Sequence, residues 1–211
     1  MVVIIILVVL LTALYQVFSG GQKGANEAMQ NHIINEEAQK LVDFLTNDIR
    51  EACGVDPNLP QLLSSAEVSN LKSDDPNNKL FFTKYEYDFS KNPTMLADGQ
   101  VNYTQTKILY FVEKKDLSSA TSSYVLIRKM TPWDDMRKAK GNEIKIRPIS
   151  DKLESFVFYR LLPLPLDSRG MGARNVFFKF LLTRRDKNAP INQKYSAEIN
   201  TSVAIRGEEP E

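Results

Sequence analysis

The sequence predicts an α+β fold in which one long N-terminal helix lies on an antiparallel β-sheet. Three observations carry this. Met1 to Phe18 holds no charged residue, an apolar stripe with helical spacing runs from Ile34 to Ala52, and beyond Phe81 the apolar period falls to two. Helix first and strands afterwards is the segregated pattern of α+β domains.

Val2 to Leu11 is unbroken apolar sequence, and Thr12 and Gln16 alone interrupt the run before Ser19. Residues 1–22, rising about 1.5 Å each as a helix, would span roughly 33 Å, enough for a hydrocarbon core. Val2, Ile5, Val9, Leu11, Leu14 and Phe18 are the expected lining of this membrane or filament-core helix. Burial inside a soluble core fits poorly, because a domain of this size rarely encloses a helix apolar on every side. A cleaved secretory peptide fits poorly too, since neither a basic leading region nor a clean small-x-small site accompanies the run. A retained membrane helix is left. Lys23 follows the run and nothing basic precedes it, so on these residues the positive-inside rule places the remainder inside the cell. A Met followed directly by such a run also reads as the middle of a longer apolar segment.

Residues 23–53 continue the helix as an amphipathic spine. Gly20, Gly21 and Gly24 thin it just past the apolar run, at about 1 kcal/mol each relative to Ala, so a bend or partly melted stretch is expected there. Then Ile34, Ala38, Leu41, Leu45, Ile49 and Ala52 recur at intervals of three and four, the signature of one buried stripe, with Phe44 beside it. Glu36 and Glu37 precede Lys40 on the exposed side. Gly54 and Pro57 stop the helix.

Residues 54–79 read as a connecting loop, from Pro57, Pro60, Pro76 and the Ser64-Ser65 and Ser73-Asp74-Asp75 clusters, tacked to the body by Leu59, Leu62 and Leu63. Residues 80–207 form the sheet, and 208–211 are a polar tail. Phe81, Thr83, Tyr85, Tyr87 and Phe89 are expected to line one face of the first strand. Ile108–Val112 and Tyr124–Ile127 are the next two strands, and Ile144 with Ile146 is a short one. Another strand starts at Phe156 and Phe158 and ends at Pro163 and Pro165. In the last pair Val176, Phe178, Phe180 and Leu182 alternate on one strand, and Tyr195, Ala197, Ile199, Thr201, Val203 and Ile205 on the other. Ser196, Glu198, Asn200, Ser202 and Arg206 should face water. A sheet with one covered face follows, and the 34–52 stripe is its cover.

The apolar head Met1-Val2-Val3-Ile4-Ile5-Ile6 resembles the N-terminal helix of type IV pilins and pseudopilins. Leu45-Thr46-Asn47-Asp48-Ile49-Arg50-Glu51-Ala52, Ile108-Leu109-Tyr110-Phe111-Val112, Tyr124-Val125-Leu126-Ile127-Arg128 and Ser202-Val203-Ala204-Ile205-Arg206 extend the resemblance over most of the chain. The pattern is most similar to minor pseudopilins, the J-type component of type II secretion and PilW-like minor pilins. The family's leader glycine and the glutamate near the start of its mature helix have no counterpart here. Either the true start lies upstream of Met1 or this chain lacks the processing signal, which leaves leader cleavage and N-methylation open.

The resemblance implies a non-enzymatic subunit at the tip of a short pilus, working in protein export. It implies residence in the bacterial inner membrane before assembly, with the head in the periplasm. Its implied partners are other minor pseudopilins, the major pseudopilin, the inner-membrane assembly platform and, before assembly, the lipid bilayer.

Site chemistry is sparse. One Cys and one His leave no intrachain disulfide, no Cys/His zinc cluster and no Ser–His–Asp set. Cys53 reads as a small core residue and His32 as solvated. Gly170-Met171-Gly172 does not follow a strand in the dinucleotide-binding form. Calcium is the one cofactor considered, at Asp74-Asp75 with Asn77-Asn78 or at Asp134-Asp135, but neither group has the spacing of a calcium loop and solvated turns are the better reading. A net charge of +1 argues against a nucleic-acid partner. The basic stretch 128–147 is nonetheless a candidate contact for an acidic partner or lipid headgroups, with Arg128, Trp133 and Arg137 its nominated residues. Two other functions stand beside the structural one: a signal-anchored extracytoplasmic β-rich binding or sensor domain, and a hydrolase using carboxylates such as Glu86 and Asp88. No second carboxylate pair is positioned for the latter, and the chain is read as a non-enzyme.

Overall fold

The computed structural model describes residues 2–55, 59–63, 65–87, 103–115, 123–133, 145–161, 175–185 and 194–205. Helix α1 covers Val2–Arg50 without interruption. The three glycines therefore thin the helix but do not melt it. A Cβ built at Gly20, Gly21 or Gly24 meets nothing within 4 Å, so each glycine sits in open space rather than against a neighbour. No proline occurs before Pro57, so nothing removes a helical hydrogen bond along this length.

Short strands β1 (Gly54–Val55) and β2 (Gln61–Leu62) and a 3-10 turn (Ser65–Asn70) follow. Strands β3 (Lys79–Tyr87), β4 (Tyr103–Lys114), β5 (Tyr124–Trp133), β6 (Lys145–Leu161), β7 (Asn175–Arg185) and β8 (Lys194–Ala204) then run as an antiparallel meander, in the order β1-β3-β4-β5-β6-β7-β8. The segment read as a plain loop thus contributes β1 to the sheet edge and β2 in parallel beside β6.

One face of the sheet receives α1. Ile34, Ala38, Leu41, Leu45, Ile49 and Ala52 join Leu80, Phe82, Ile108, Tyr110, Leu126, Phe156, Phe158, Phe178 and Phe180 in one cluster. In β3 the residues expected to share a face do share one, and it is the back: Phe81, Thr83 and Tyr85 are half-buried there, whereas Leu80 and Phe82 are fully buried on the core face. The sequence does not set which face meets the core, because 80–82 is apolar at every position and alternation carries no phase there. Phe89 lies outside the described residues. The expected short strand at Ile146 is instead the front of β6. A register shift between Leu153 and Ser155 reverses parity in β6, so that Leu153 shares the core face with Phe156 and Phe158.

The back of the sheet is not simply solvated. Leu62 and Val68 pack on Val157 and Tyr159, with Leu71, Leu161 and Phe177 around them. Leu59 is also buried, but Leu63 is 74% exposed and tacks nothing down. Pairing of β5 with β6 reaches only Leu153, which leaves the edge of β6 beyond it without a strand neighbour from β5. Side chains of the 73–78 turn fill that edge. Asn78 Nδ2 donates to Phe156 O (2.7 Å) and Ser73 O (3.0 Å), Asn78 Oδ1 accepts from Phe158 N–H (2.9 Å), and Ser73 Oγ accepts from Phe156 N–H (2.9 Å). Further on, Arg160 N–H donates to Pro60 O at 2.8 Å.

Because those groups are buried, removing the amide strands them. We expect Asn78→Ala to lower stability by about 2–4 kcal/mol. Urea unfolding of the full chain in detergent, followed by near-ultraviolet circular dichroism, measures it; a change below about 0.5 kcal/mol would show that the turn does not close the edge.

Candidate functional site

Two features of α1 have functional weight: its uncovered apolar half and the polar latch that fixes its other half to the sheet. From Val3 to Phe18, thirteen large apolar or aromatic residues are each 55–78% exposed. Removing them from water at about 1.5 kcal/mol apiece is worth about 20 kcal/mol, more than a typical domain's net stability. This surface requires a cover. Among the described residues α1 is the one helix long and apolar enough to cross a membrane, and its apolar window is wholly unburied. Thr12 does not spoil it, because its hydroxyl donates to Val8 O at 2.8 Å inside the helix.

At the far end, Asp48 projects from the stripe into the sheet. Its Oδ2 accepts from Tyr110 Oη of β4 at 2.6 Å and from Arg128 Nε of β5 at 2.6 Å. The ion-paired side chains are 13% and 12% exposed. Burial is the largest effect on the Tyr110 phenol, and with the Asp48 charge it pushes the pKa well above the ordinary tyrosine range. Burial alone would lower the Arg128 guanidinium, but the Asp48 hydrogen bond and charge outweigh it and the pKa is raised. Phe44, one turn before Asp48, is near two guanidinium groups, with Arg128 Cζ 5.6 Å and Arg147 Cζ 5.9 Å from its ring centre. Nearer the middle of the helix, Glu37 Oε1 meets Lys152 Nζ of β6 at 2.5 Å and Arg184 of β7 at 4.0 Å.

All six residues nominated for spine-to-sheet packing lie in the main core. Of the helix-lining set, Val2 is within α1, and Ile5, Val9, Leu11, Leu14 and Phe18 are exposed. Arg128 is not an open contact residue: the carboxylate under α1 draws it inward. Trp133 ends β5 opposite Gln105, and Arg137 lies outside the described residues. Cys53 is half-buried rather than a core residue, and His32 is exposed. Asn78 is committed to β6 and Asp75 Oδ1 to the N–H of Asn77 (2.8 Å), while Asp134-Asp135 lies outside the described residues. Among the described residues no three His, Cys, Asp or Glu side chains group as metal ligands.

The Asp48–Tyr110–Arg128 cluster was the residue set that sequence reasoning missed, although it left a signal. Asp48 falls three residues after Leu45 on the inward stripe, and Arg128 continues the buried parity of Tyr124 and Leu126. Opposite charges on two apolar faces should find each other.

No protein-family model, curated protein or solved structure matches this chain. The class rests on geometry alone: a pilin-like α+β domain, with a long N-terminal helix packed on a multi-stranded antiparallel sheet. Its apolar first half is compatible with a single membrane span, with a globular region beyond it.

Arg128→Ala leaves Asp48 buried without its cation, and we expect a loss of about 3 kcal/mol in chemical unfolding, with Arg128→Lys recovering part of it. A loss under 1 kcal/mol would mean the pair is solvated. Tyr110 supplies a pH signature. Its folded pKa lies above the unfolded value of about 10, so its contribution is complete below pH 10 and is lost as pH rises beyond it. Stability should therefore fall by up to about 1.4 kcal/mol per unit above pH 10, with this component absent from Tyr110→Phe. Melting curves of both proteins from pH 8 to 11 test this; parallel profiles would remove the phenol from the latch.

Proposed function

We propose that this chain is a non-enzymatic structural subunit of a pilin-like machine, a minor pseudopilin that starts in the inner membrane and enters a short filament. The supporting observation is the continuity of α1. One helix carries both the exposed apolar surface and the buried stripe on the sheet. A flexible tether would not need to pass unbroken into the core of the domain that it anchors.

In this reading the apolar half first sits in lipid and then exchanges lipid for neighbouring helices when the subunit assembles. Packing rather than water exclusion drives that exchange, since acyl chains and leucine side chains are equally apolar. The latch at Asp48 transmits the helix position to the head without slippage. The neighbours are other minor pseudopilins and the major pseudopilin, the assembly platform lies in the same membrane, and the head is in the periplasm, the opposite side from the one that Lys23 taken alone assigns. A tip position in a type II secretion or type IV pilus-like machine, of the J-type or PilW-like kind, follows from the resemblance stated above.

Val9→Arg should disrupt insertion, because an arginine at mid-span costs about 3 kcal/mol or more. We expect the wild-type chain to remain in the membrane pellet after alkaline carbonate extraction and the variant to leave it. A photoreactive benzoylphenylalanine at Leu14 then tests assembly. Photo-cross-links to the apolar helices of different pilin-like subunits are expected, whereas a membrane-bound chain that yields only monomer would support the anchored sensor and sink the filament reading.

A further inference from the structure

The back of β3–β5 carries a second apolar surface that neither core absorbs. Phe81, Leu109, Phe111, Val125 and Ile127 are half-buried there, and none belongs to the main cluster or to the smaller cluster under β2. Cross-strand register aligns all but Val125 in two rows. Phe81 pairs with Leu109, Leu109 with Lys129, and Lys129 with Ile146; Lys79 pairs with Phe111, Phe111 with Ile127, and Ile127 with Pro148. Ile146, at the outer end of the first row, is 63% exposed. Four strands at about 4.8 Å spacing make the patch roughly 14 Å wide. The sequence explains its existence, since 80–82, 108–112 and 124–127 are apolar on both parities. On β8, by contrast, the back positions Ser196, Glu198, Asn200 and Ser202 are polar. An antiparallel sheet apolar on both faces is built to be covered on both. The described element on this side, β2 with its 3-10 turn, covers β6 and β7 instead.

Charge selects the cover. Over the back positions of β3–β5 whose side chains are described, Lys79 and Lys129 carry positive charge beside the acid Glu113. A second copy brought face to face would set the same lysines against each other, a like-charge contact that opposes pairing. The exposed side of α1 in another copy does not fit either, because Asn35, Glu36, Gln39, Asp43 and Asn47 present no apolar ridge. A membrane surface is remote: Phe18 and Ile34 are separated by about 24 Å of helix before the head begins.

We propose that the back of β3–β5, centred on Leu109, Phe111 and Ile127, docks a different protein chain through an apolar surface edged with aspartate and glutamate. Apolar contact supplies affinity, and the lysine rim sets partner choice and orientation. This holds whichever machine the anchored chain serves.

The test places a photoreactive benzoylphenylalanine at Ile127 or Ile146 of the full chain in the producing cells, with Ser202 on the polar half of the same face as control. Adducts are expected from 127 and 146 and not from 202, to a chain of different sequence whose cross-linked peptide holds carboxylates beside apolar residues. Lys79→Glu with Lys129→Glu should reduce the yield at least tenfold. The exposed single change Lys79→Glu should reduce it about threefold, with the melting curve unchanged. Adducts to a second copy or to lipid would overturn the proposal. So would a yield that charge reversal leaves unchanged, or the absence of any adduct.

Discussion

The Asp48 carboxylate beneath α1 is the constraint on which the arrangement of helix and sheet depends. The apolar stripe supplies most of the attraction between them, but a stripe of Ile, Leu and Ala could slide by a turn at modest cost. A buried carboxylate cannot. It must reach both the Tyr110 hydroxyl and the Arg128 guanidinium, and one register achieves both. Phe44 strengthens the same choice from one turn away, its ring near both the Arg128 and the Arg147 guanidinium groups. Glu37 ties the helix a second time, to Lys152 and Arg184. The outer half of the helix is thus fixed in position as well as held by burial.

That fixed register has a consequence for the uncovered half. Because α1 is continuous from Val2 to Arg50, a single helix joins the apolar segment to the sheet. The same chain carries two unlike apolar surfaces, one exposed and one half-buried. The first, on the N-terminal half of α1, has no charged rim and suits lipid or other apolar helices. The second, on the back of β3–β5, is half-buried and carries Lys79 and Lys129 among its apolar residues, and is the surface proposed above for a protein partner. Between them they assign different environments to the two ends of one molecule.

The strands differ in how far their sequence revealed them, and the reason is phase. In β8 apolar and polar residues alternate cleanly, so Tyr195, Ala197 and Val203 were legible as core and Ser196 and Glu198 as solvent-facing. In β3 the run Leu80-Phe81-Phe82 has no phase, so alternation alone did not say which of its faces meets α1. In β6 the parity changes at an irregularity between Leu153 and Ser155, which no periodic reading crosses. Asn78 was legible only as a turn residue; its service to the open edge of β6 depends on where β5 stops pairing.

The sequence alone determined the class. An uncharged apolar run, a stripe repeating at three and four, and a later period of two are local patterns, and local backbone geometry converts them directly into a helix and strands. The buried positions of the spine followed from the same spacing, because a single stripe can face only one way. Tertiary structure decided which residues meet. Asp48, Tyr110 and Arg128 lie far apart in the chain, and their pairing arises only when the meander brings β4 and β5 under the last turns of α1. It also decided that Arg128, a surface contact by sequence, is an internal one, and that the apolar back of β3–β5 stays outside both cores. Periodicity reports which side of an element is apolar; only the packed chain reports what that side faces.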